Sequence, residues 1–374
     1  MVHAQSPLLT HCPETLPRAA YLDADWYARE LATLWSRNWV CVGRVADFPP
    51  GSIRPVTVAG ASVLVAHSPQ GISAFHNTCR HRGAELCAAE QPLGRLITCP
   101  YHAWSYAAED GRLISVAHAT PTSDFIYENN GLRPVSRVKW NGFLFLNLNP
   151  QGPLNPDFGL TPLDNWPMDI LLTGHRHERI LDCNWKVFWE NYNECLHCPG
   201  IHPELCDMVP IYGKGIMSAP EAPDWTPDQP PPPNLKPGAQ TWTMSGQPCG
   251  PTFPGLTPAQ RQAGYTFVTL YPTTYIVAHI DHVRAVRLEP LGPQRTRLVA
   301  EWYFTPETLA QPGFDAAKVA AFASIVLQQD GDAVEMNQRG IRSPAYEKGR
   351  LMPQEFDIHR FHNWVLTQIK GSHE

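Results

Sequence analysis

A chain of 374 residues exceeds one average domain, and with 43% apolar and 17% charged residues it has material for two sizeable cores. The formal charge of −6 argues against nucleic acid or an anionic membrane surface as a partner. No apolar run approaches the roughly eighteen residues of a membrane span, and the start, Met1-Val-His-Ala-Gln-Ser-Pro7, lacks a basic region followed by an apolar one.

Residues 1–20 carry no periodicity and read as a loose arm. From Asp23 an amphipathic helix is predicted, because Tyr27, Leu31, Leu34 and Trp35 fall at i, i+4, i+7 and i+8. Asp23 or Asp25 supplies its cap. The pattern then changes to period two, with strands expected over 39–45, 53–58, 62–66, 95–98, 104–106 and 138–148. The last is centred on Gly142-Phe-Leu-Phe-Leu146. These runs describe an all-β module, and the Pro/Gly/Asn stretch up to Pro156 marks its end. The expected division is an arm and helix over 1–37, one domain over 38–155 and a second over 156–374.

In the second domain, residues 184–197 read as a helix. Residues 210–260 are proline-dense, including Pro230-Pro-Pro-Pro233, and are expected to be loop with no packed element. A meander follows over 266–271, 274–280, 283–289 and 297–304, with turns at Pro272-Thr273 and Gly292-Pro293. A long helix over 316–339 and a shorter one over 356–369 close the chain. There is no internal repeat.

Two constellations carry chemistry. The first is Cys79-Arg-His81-Arg-Gly83 and Cys99-Pro-Tyr-His102. Two thiolates and two imidazoles, supplied as mixed pairs from two loops, suit a [2Fe–2S] cluster with cysteines on one iron and histidines on the other. Structural zinc sites group like with like, Cys-x₂₋₄-Cys followed by His-x₃₋₅-His, and both halves here are mixed. Two of the ten cysteines are thereby assigned. The other eight show no regular disulfide framework, so a reducing cytoplasm is expected.

The second constellation is Trp189-Glu-Asn-Tyr-Asn-Glu194-Cys-Leu-His197-Cys-Pro-Gly-Ile-His202-Pro203. On a helix Glu190, Glu194 and His197 share one face, and Pro199-Gly200 turns His202 back toward His197. The third ligand is expected from Asp330, with its neighbour Asp332 competing for the role. Two imidazoles and one carboxylate on one face of Fe(II) leave positions open for O₂ and substrate.

With both constellations in view, the chain resembles the oxygenase α subunit of Rieske non-haem iron oxygenases. The resemblance covers nearly all of residues 20–370. Its pieces are Cys79-x-His81-Arg-Gly83, Cys99-Pro-Tyr-His102-x-Trp104, Glu190-Asn191-x-x-Glu194-x-x-His197-x₄-His202-Pro203, and Asp330 ahead of Gln338-Arg-Gly340. It implies an α+β fold, an all-β Rieske [2Fe–2S] module plus a helix-grip, START-like catalytic domain whose curved antiparallel sheet grips a long helix. The N-terminal helix packs with that catalytic domain. Carried over by position, Cys79, His81, Cys99 and His102 hold the cluster, and His197, His202 and Asp330 hold mononuclear Fe(II). O₂ is the co-substrate, and NAD(P)H acts only through a separate flavin/iron–sulfur reductase. The resemblance further implies a head-to-tail homotrimer in which Glu194, with Asn191 beside it in the motif, bridges the cluster of one subunit and the iron of the next.

Many ring-hydroxylating members carry Asp at that bridge. Glu194, the Glu194-Cys-x-His-Cys198 spelling, Gln338-Arg-Gly-Ile-Arg-Ser343 and Phe361-His362-Asn363 resemble instead the branch acting on carnitine, glycine betaine and proline betaine. The expected reaction is O₂-dependent hydroxylation, with N-demethylation or C–N cleavage, of a small quaternary or tertiary amine. The alternatives are a substituted aromatic acid in the same pocket, or a Rieske electron carrier with no oxygenase activity. A quaternary ammonium favours aromatic faces, and the second domain offers Trp189, Tyr192, Trp242, Phe267, Tyr271 and Tyr275. Arg284 or Arg287 suits a substrate carboxylate.

Overall fold

The computed structural model describes residues 6–154, 157–228 and 233–370. The first five residues of the arm, Asn155-Pro156 of the expected boundary and Pro230-Pro-Pro232 of the proline run lie outside them. The chain divides into two compact units, one spanning residues 34–157 and the other joining residues up to Thr33 to those from Phe158 onward. No described helix is long and apolar enough to cross a membrane.

Among its described residues the 34–157 unit holds ten strands: β1 Val40–Arg44, β2 Ser52–Val58, β3 Ala61–Ser68, β4 Gly71–His76, β5 Gln91–Pro92, β6 Ile97–Thr98, β7 Ser105–Tyr106, β8 Leu113–Ser115, β9 Ser136–Trp140 and β10 Phe143–Asn147. They form sheets of order β1-β10-β9, β4-β3-β2-β5 and β6-β7-β8. The single strand expected over 138–148 is a hairpin, with Trp140 opposite Phe143. It turns at Asn141-Gly142, where φ is +41° and +81°. An Asn-Gly pair with both residues left-handed makes the primed turn that matches strand twist. β10 is buried at every position, so no alternation marked the break in sequence. Ile53, Leu64, Phe75, Ile97, Tyr106 and Leu113 share one apolar core, and Cys79 and Cys99 belong to it.

The other unit holds an antiparallel sheet of β11 Leu172–Leu181, β12 Tyr265–Leu270, β13 Thr274–His279, β14 Val283–Gly292 and β15 Arg295–Phe304. Its order is β11-β15-β14-β13-β12. The last four are the expected meander. β11 escaped notice because an edge strand carrying His175, Arg176, His177, Glu178 and Arg179 reads as polar, which is how edges avoid pairing with other chains. The helix Ala316–Ile341 begins at Asp315, whose carboxylate accepts from Ala317 N and Lys318 N. It packs along β11. Gly331 permits the approach, since a Cβ there would run into the Arg179 guanidinium and a Leu181 methyl. Arg179 itself pairs with Asp332 at 2.8 Å and Glu335 at 3.1 Å.

Three expectations are corrected in this unit. The helix expected over 184–197 is Trp185–Tyr192 only, because the chain turns at Asn193. The arm is not loose from residue 6 onward: Leu9 N donates to Pro353 O, Thr15 N donates to Gly349 O, and Glu14 pairs with Lys348 at 2.7 Å. The described residues of the 210–260 stretch are irregular yet packed, with Tyr212, Trp242, Phe253 and Leu256 buried, and they lead into a Thr257-capped helix at Pro258–Ala263. Proline removes backbone donors without preventing its neighbours from being buried.

The N-terminal helix Ala24–Arg29 is capped by Asp23 and followed by a π-helical turn, Glu30–Trp35. Glu30 is fully buried and accepts from Lys186 Nζ at 2.6 Å, Trp185 Nε1 at 2.9 Å and Trp26 Nε1 at 2.9 Å. It thereby fastens this helix to the start of Trp185–Tyr192. Lys186→Met strands a buried carboxylate, and the expected loss is about 3–5 kcal/mol in urea unfolding. Adding Glu30→Leu should recover part of it, because the stranded charge goes while the Trp185 and Trp26 indole N–H groups lose their acceptor. A single variant as stable as the parent contradicts this account.

Candidate functional site

The two candidate ligand loops of the 34–157 unit are built alike. Gly83 N donates to Cys79 O at 2.9 Å, and Ala103 N donates to Cys99 O at 3.0 Å. Each loop then enters the left-handed region, at Gly83 with φ +77° and at Ala103 with φ +54°. Only the first uses the residue that adopts it freely. Cys79 N and Cys99 N donate to Ala84 O and Trp104 O, both at 2.8 Å, closing the loops at their bases.

The cysteines are buried in the core, whereas His81 is exposed and His102 half-exposed. The His81 ring lies edge-on to His102 at 4.7 Å and stacks on Trp104 at 4.7 Å. Tyr106 Oη receives Arg80 N at 3.1 Å and donates to Cys79 Sγ at 3.1 Å. Burial raises the Cys79 thiol, the Tyr106 hydroxyl pulls it back, and the Cys99 thiol beside it raises it further. So the sulfurs form one pair and the imidazoles another. Among the described residues, no three of these four ligand atoms lie within 4.8 Å of one another, which a single zinc ion would require. A two-iron cluster held from both ends fits them. Hydrogen bonding to a ligand sulfur raises such a cluster's potential.

In the other unit, three residues converge from two distant segments. His197 lies in the turn after Trp185–Tyr192, His202 stands between the short helices Cys198–Ile201 and Pro203–Met208, and Asp330 comes from the long helix. Their ligating atoms all lie within 4.8 Å of one another. His202 Nε2 is 2.9 Å and His197 Nε2 3.6 Å from Asp330 Oδ1. Each Nδ1 is held separately, that of His202 by Gln329 Oε1 at 2.8 Å and that of His197 by Glu194 Oε1 at 2.5 Å. Both rings therefore present Nε2 to one point, which is how metal-binding histidines are oriented. Asn191 Nδ2 sits 3.1 Å from His197 Nε2. Burial opposes charge on His197, but hydrogen bonds with Asp330 and Glu194 outweigh it and push the imidazole up to about 9. His202 is raised by its hydrogen bond with Asp330, and Asp330 is lowered by its hydrogen bonds with His197 and His202, against burial in each case. The site is thus electrostatically disposed to hold a cation, and the donor set fits Fe(II).

Asp332 does not compete, since it is taken by Arg179. Glu190 stands outside the converged group and accepts from Tyr21 Oη at 2.7 Å and His362 Nε2 at 2.8 Å. Cys195 and Cys198 are joined in a disulfide with Cα atoms 5.0 Å apart, where only thiols were expected. Composition argued against a framework, but three-residue spacing around a turn brings two cysteines together locally.

A cavity of about 270 Å³ opens beside Asp330, small beside the ~300–1,000 Å³ of most ligand pockets. Tyr192, Trp242, Phe267, Tyr271 and Tyr275 line it, as do His197, His202, Asp330 and Arg284. Trp189 does not. It is fully buried, and its Nε1 donates to Pro272 O at 2.9 Å, so it belongs to the core. Tyr212 and Tyr265 also line the cavity and were missed, the first lying in the proline-dense stretch. Arg287 pairs with Glu301 at 3.1 Å and is not among the lining residues. A second hollow lies on the other side of His197, lined by Glu190, Asn191, Glu194 and Glu355. Asn191, Glu194 and His197 border both spaces.

Comparison with known proteins matches residues 38–126 to the Rieske [2Fe-2S] domain and residues 165–371 to the ring hydroxylating alpha subunit catalytic domain. The glycine betaine monooxygenase oxygenase subunit of Chromohalobacter salexigens is 30% identical, over 94% of this chain and 84% of its own. The quaternary ammonium Rieske monooxygenase CntA, in complex with L-carnitine, superposes with a TM-score of 0.70 at 20% identity, covering 96% of both chains. Naphthalene 1,2-dioxygenase from Rhodococcus sp. gives 0.69 at 18% identity, over 96% of this chain and 95% of its own. Those two structures speak for the fold alone.

Proposed function

Since the chain belongs to the ring-hydroxylating α-subunit family of Rieske oxygenases, we propose that it oxidises a small quaternary or tertiary amine of the betaine kind. When bound, the [2Fe–2S] cluster supplies electrons, and the mononuclear iron supplies the position at which O₂ is reduced and one oxygen atom reaches a C–H bond. Residues 38–155 serve as the cluster domain and 156–374 as the catalytic domain. Cys79, His81, Cys99 and His102 hold the cluster; His197, His202 and Asp330 hold the iron. Gln329 and Glu194 keep the two imidazoles turned inward, and the aromatic residues wall the cavity.

Hydroxylation of an N-methyl carbon gives a hemiaminal, which collapses to formaldehyde and the demethylated amine; attack at the other N-bonded carbon gives trimethylamine and an aldehyde. The observation that carries this substrate class is the cavity beside Asp330, small and walled by Tyr192, Trp242, Tyr271 and Tyr275. Such walls attract a poorly hydrated alkylammonium through cation–π contact. The 30% identity to a glycine betaine monooxygenase subunit leans the same way.

We take the working form to be a cytoplasmic homotrimer fed by a separate flavin/iron–sulfur reductase. Glu194 bridges the iron of one copy and the cluster of the next. The hollow beside it is lined by Glu190 and Glu355, and the exposed ligand loop carries Arg82. These charges are complementary. An electron carrier would have no use for the converged His197, His202 and Asp330.

A panel of carnitine, glycine betaine, proline betaine and choline against benzoate- and phenylpropionate-type acids, with a surrogate reductase, tests the substrate. Amine-dependent O₂ uptake is the expected result. Product formation confined to the aromatic acids would overturn the substrate class and leave the ligand assignments standing.

A further inference from the structure

We propose that Arg284 is the seat of a substrate carboxylate, so that this pocket selects zwitterions and other anion-bearing ligands over simple cations such as choline. This rests on the reading of the cavity beside Asp330 as the substrate pocket.

The sheet carries six arginines, Arg176, Arg179, Arg284, Arg287, Arg295 and Arg297. Five have an acid within 4 Å: Arg176 and Arg287 share Glu301, Arg179 has Asp332, Arg295 has Asp182 and Arg297 has Glu289. Among the described residues Arg284 has none. It is 4% exposed, it lines the cavity, and its Nε and Nη1 are buried without a hydrogen-bond partner. A guanidinium cannot relieve this by losing its proton. The rings of Trp242 and Tyr275 each lie 5.8 Å from its Cζ, at the outer limit of cation–π attraction. They offset part of the cost of burying the charge and satisfy none of its N–H groups.

The missing partner is therefore an acceptor that enters from the cavity. A planar fork of N–H donors suits a carboxylate, which can accept two of them at once. Arg284 and Asp330 both line this cavity, so it offers a cation and a carboxylate to one ligand. A betaine would place its carboxylate on Arg284 and its N-alkyl carbon toward His197, His202 and Asp330. Choline would bring a second cation to Arg284 and leave the donors unfilled.

The test is equilibrium titration of the cluster- and iron-loaded enzyme, without reductase, using glycine betaine, carnitine, choline and benzoate. The unmodified enzyme should bind both betaines and discriminate against choline, a comparison that needs no variant. Arg284→Met should weaken the carboxylate-bearing ligands about 30- to 1,000-fold, as loss of a buried charge partner does, with iron content and circular dichroism unchanged. Arg284→Lys should recover part of the affinity, because it restores charge without the fork. Betaine binding by Arg284→Met within about threefold of the parent would overturn the proposal. Choline bound as tightly as the betaines would overturn it too, while leaving the amine reading intact. If benzoate alone binds and Arg284→Met abolishes that binding, Arg284 keeps its role and the amine reading fails.

Discussion

Cys99→Ser is expected to yield a colourless protein that keeps its mononuclear iron, and His197→Ala a brown one that has lost only that iron. The parent should carry about three irons per chain, two in the cluster and one alone. The reason is that the two proposed ligand sets share no residue and lie in different compact units. Cys99 is a core residue whose thiol stands beside that of Cys79, so serine removes a thiolate that no neighbour replaces. His197 is one of the three proposed iron ligands, and alanine leaves His202 and Asp330, too few to retain Fe(II) against chelators. Both variants should show no substrate-dependent O₂ uptake. Iron analysis and visible absorption check the assignment. Stoichiometric zinc without iron–sulfur absorption in the parent would sink it.

Glu194→Gln should leave both metal sites loaded and the cluster reducible, yet cut turnover by about 100-fold or more, at the upper end of what loss of an outer-sphere carboxylate costs. Glu194 accepts from His197 N at 3.2 Å and holds His197 Nδ1 at 2.5 Å. Glutamine keeps the side chain's length and removes its charge, so it separates orientation of the ring from the electrostatics of electron transfer. Glu194→Asp is the finer comparison, because it keeps the charge and shortens the reach. Near-normal activity in Glu194→Gln, with full iron content, would remove this residue from the electron path.

Much of the chemistry was legible before the fold because it is local. The Cys-x-His and Cys-x-x-His pairs sit in loops closed over five residues, Cys79–Gly83 and Cys99–Ala103, so their spacing is set by turn geometry. His197 and His202 face one another across a single short helix, and that too survives in linear spacing, even though the helix before them ends sooner than periodicity suggested. The meander strands announced themselves through β-branched and aromatic runs at period two. The hairpin at Asn141-Gly142 failed the same test, because a fully buried strand has no alternation to lose.

What the sequence could not determine are the choices between like residues that depend on a partner far along the chain. Asp330 faces the histidines and Asp332 does not, because Arg179 of β11, some hundred and fifty positions earlier, takes the second acid. Trp189 is core and Tyr212 is pocket wall, although composition favours the tryptophan as a ligand platform. Arg284 and Arg287 are three residues apart on β14, yet Glu301 on the neighbouring strand neutralises only Arg287. Local spacing determines which chemistry a segment can offer; long-range packing decides which of two equivalent side chains is left unpaired to perform it, because burial penalises the charge that finds no partner.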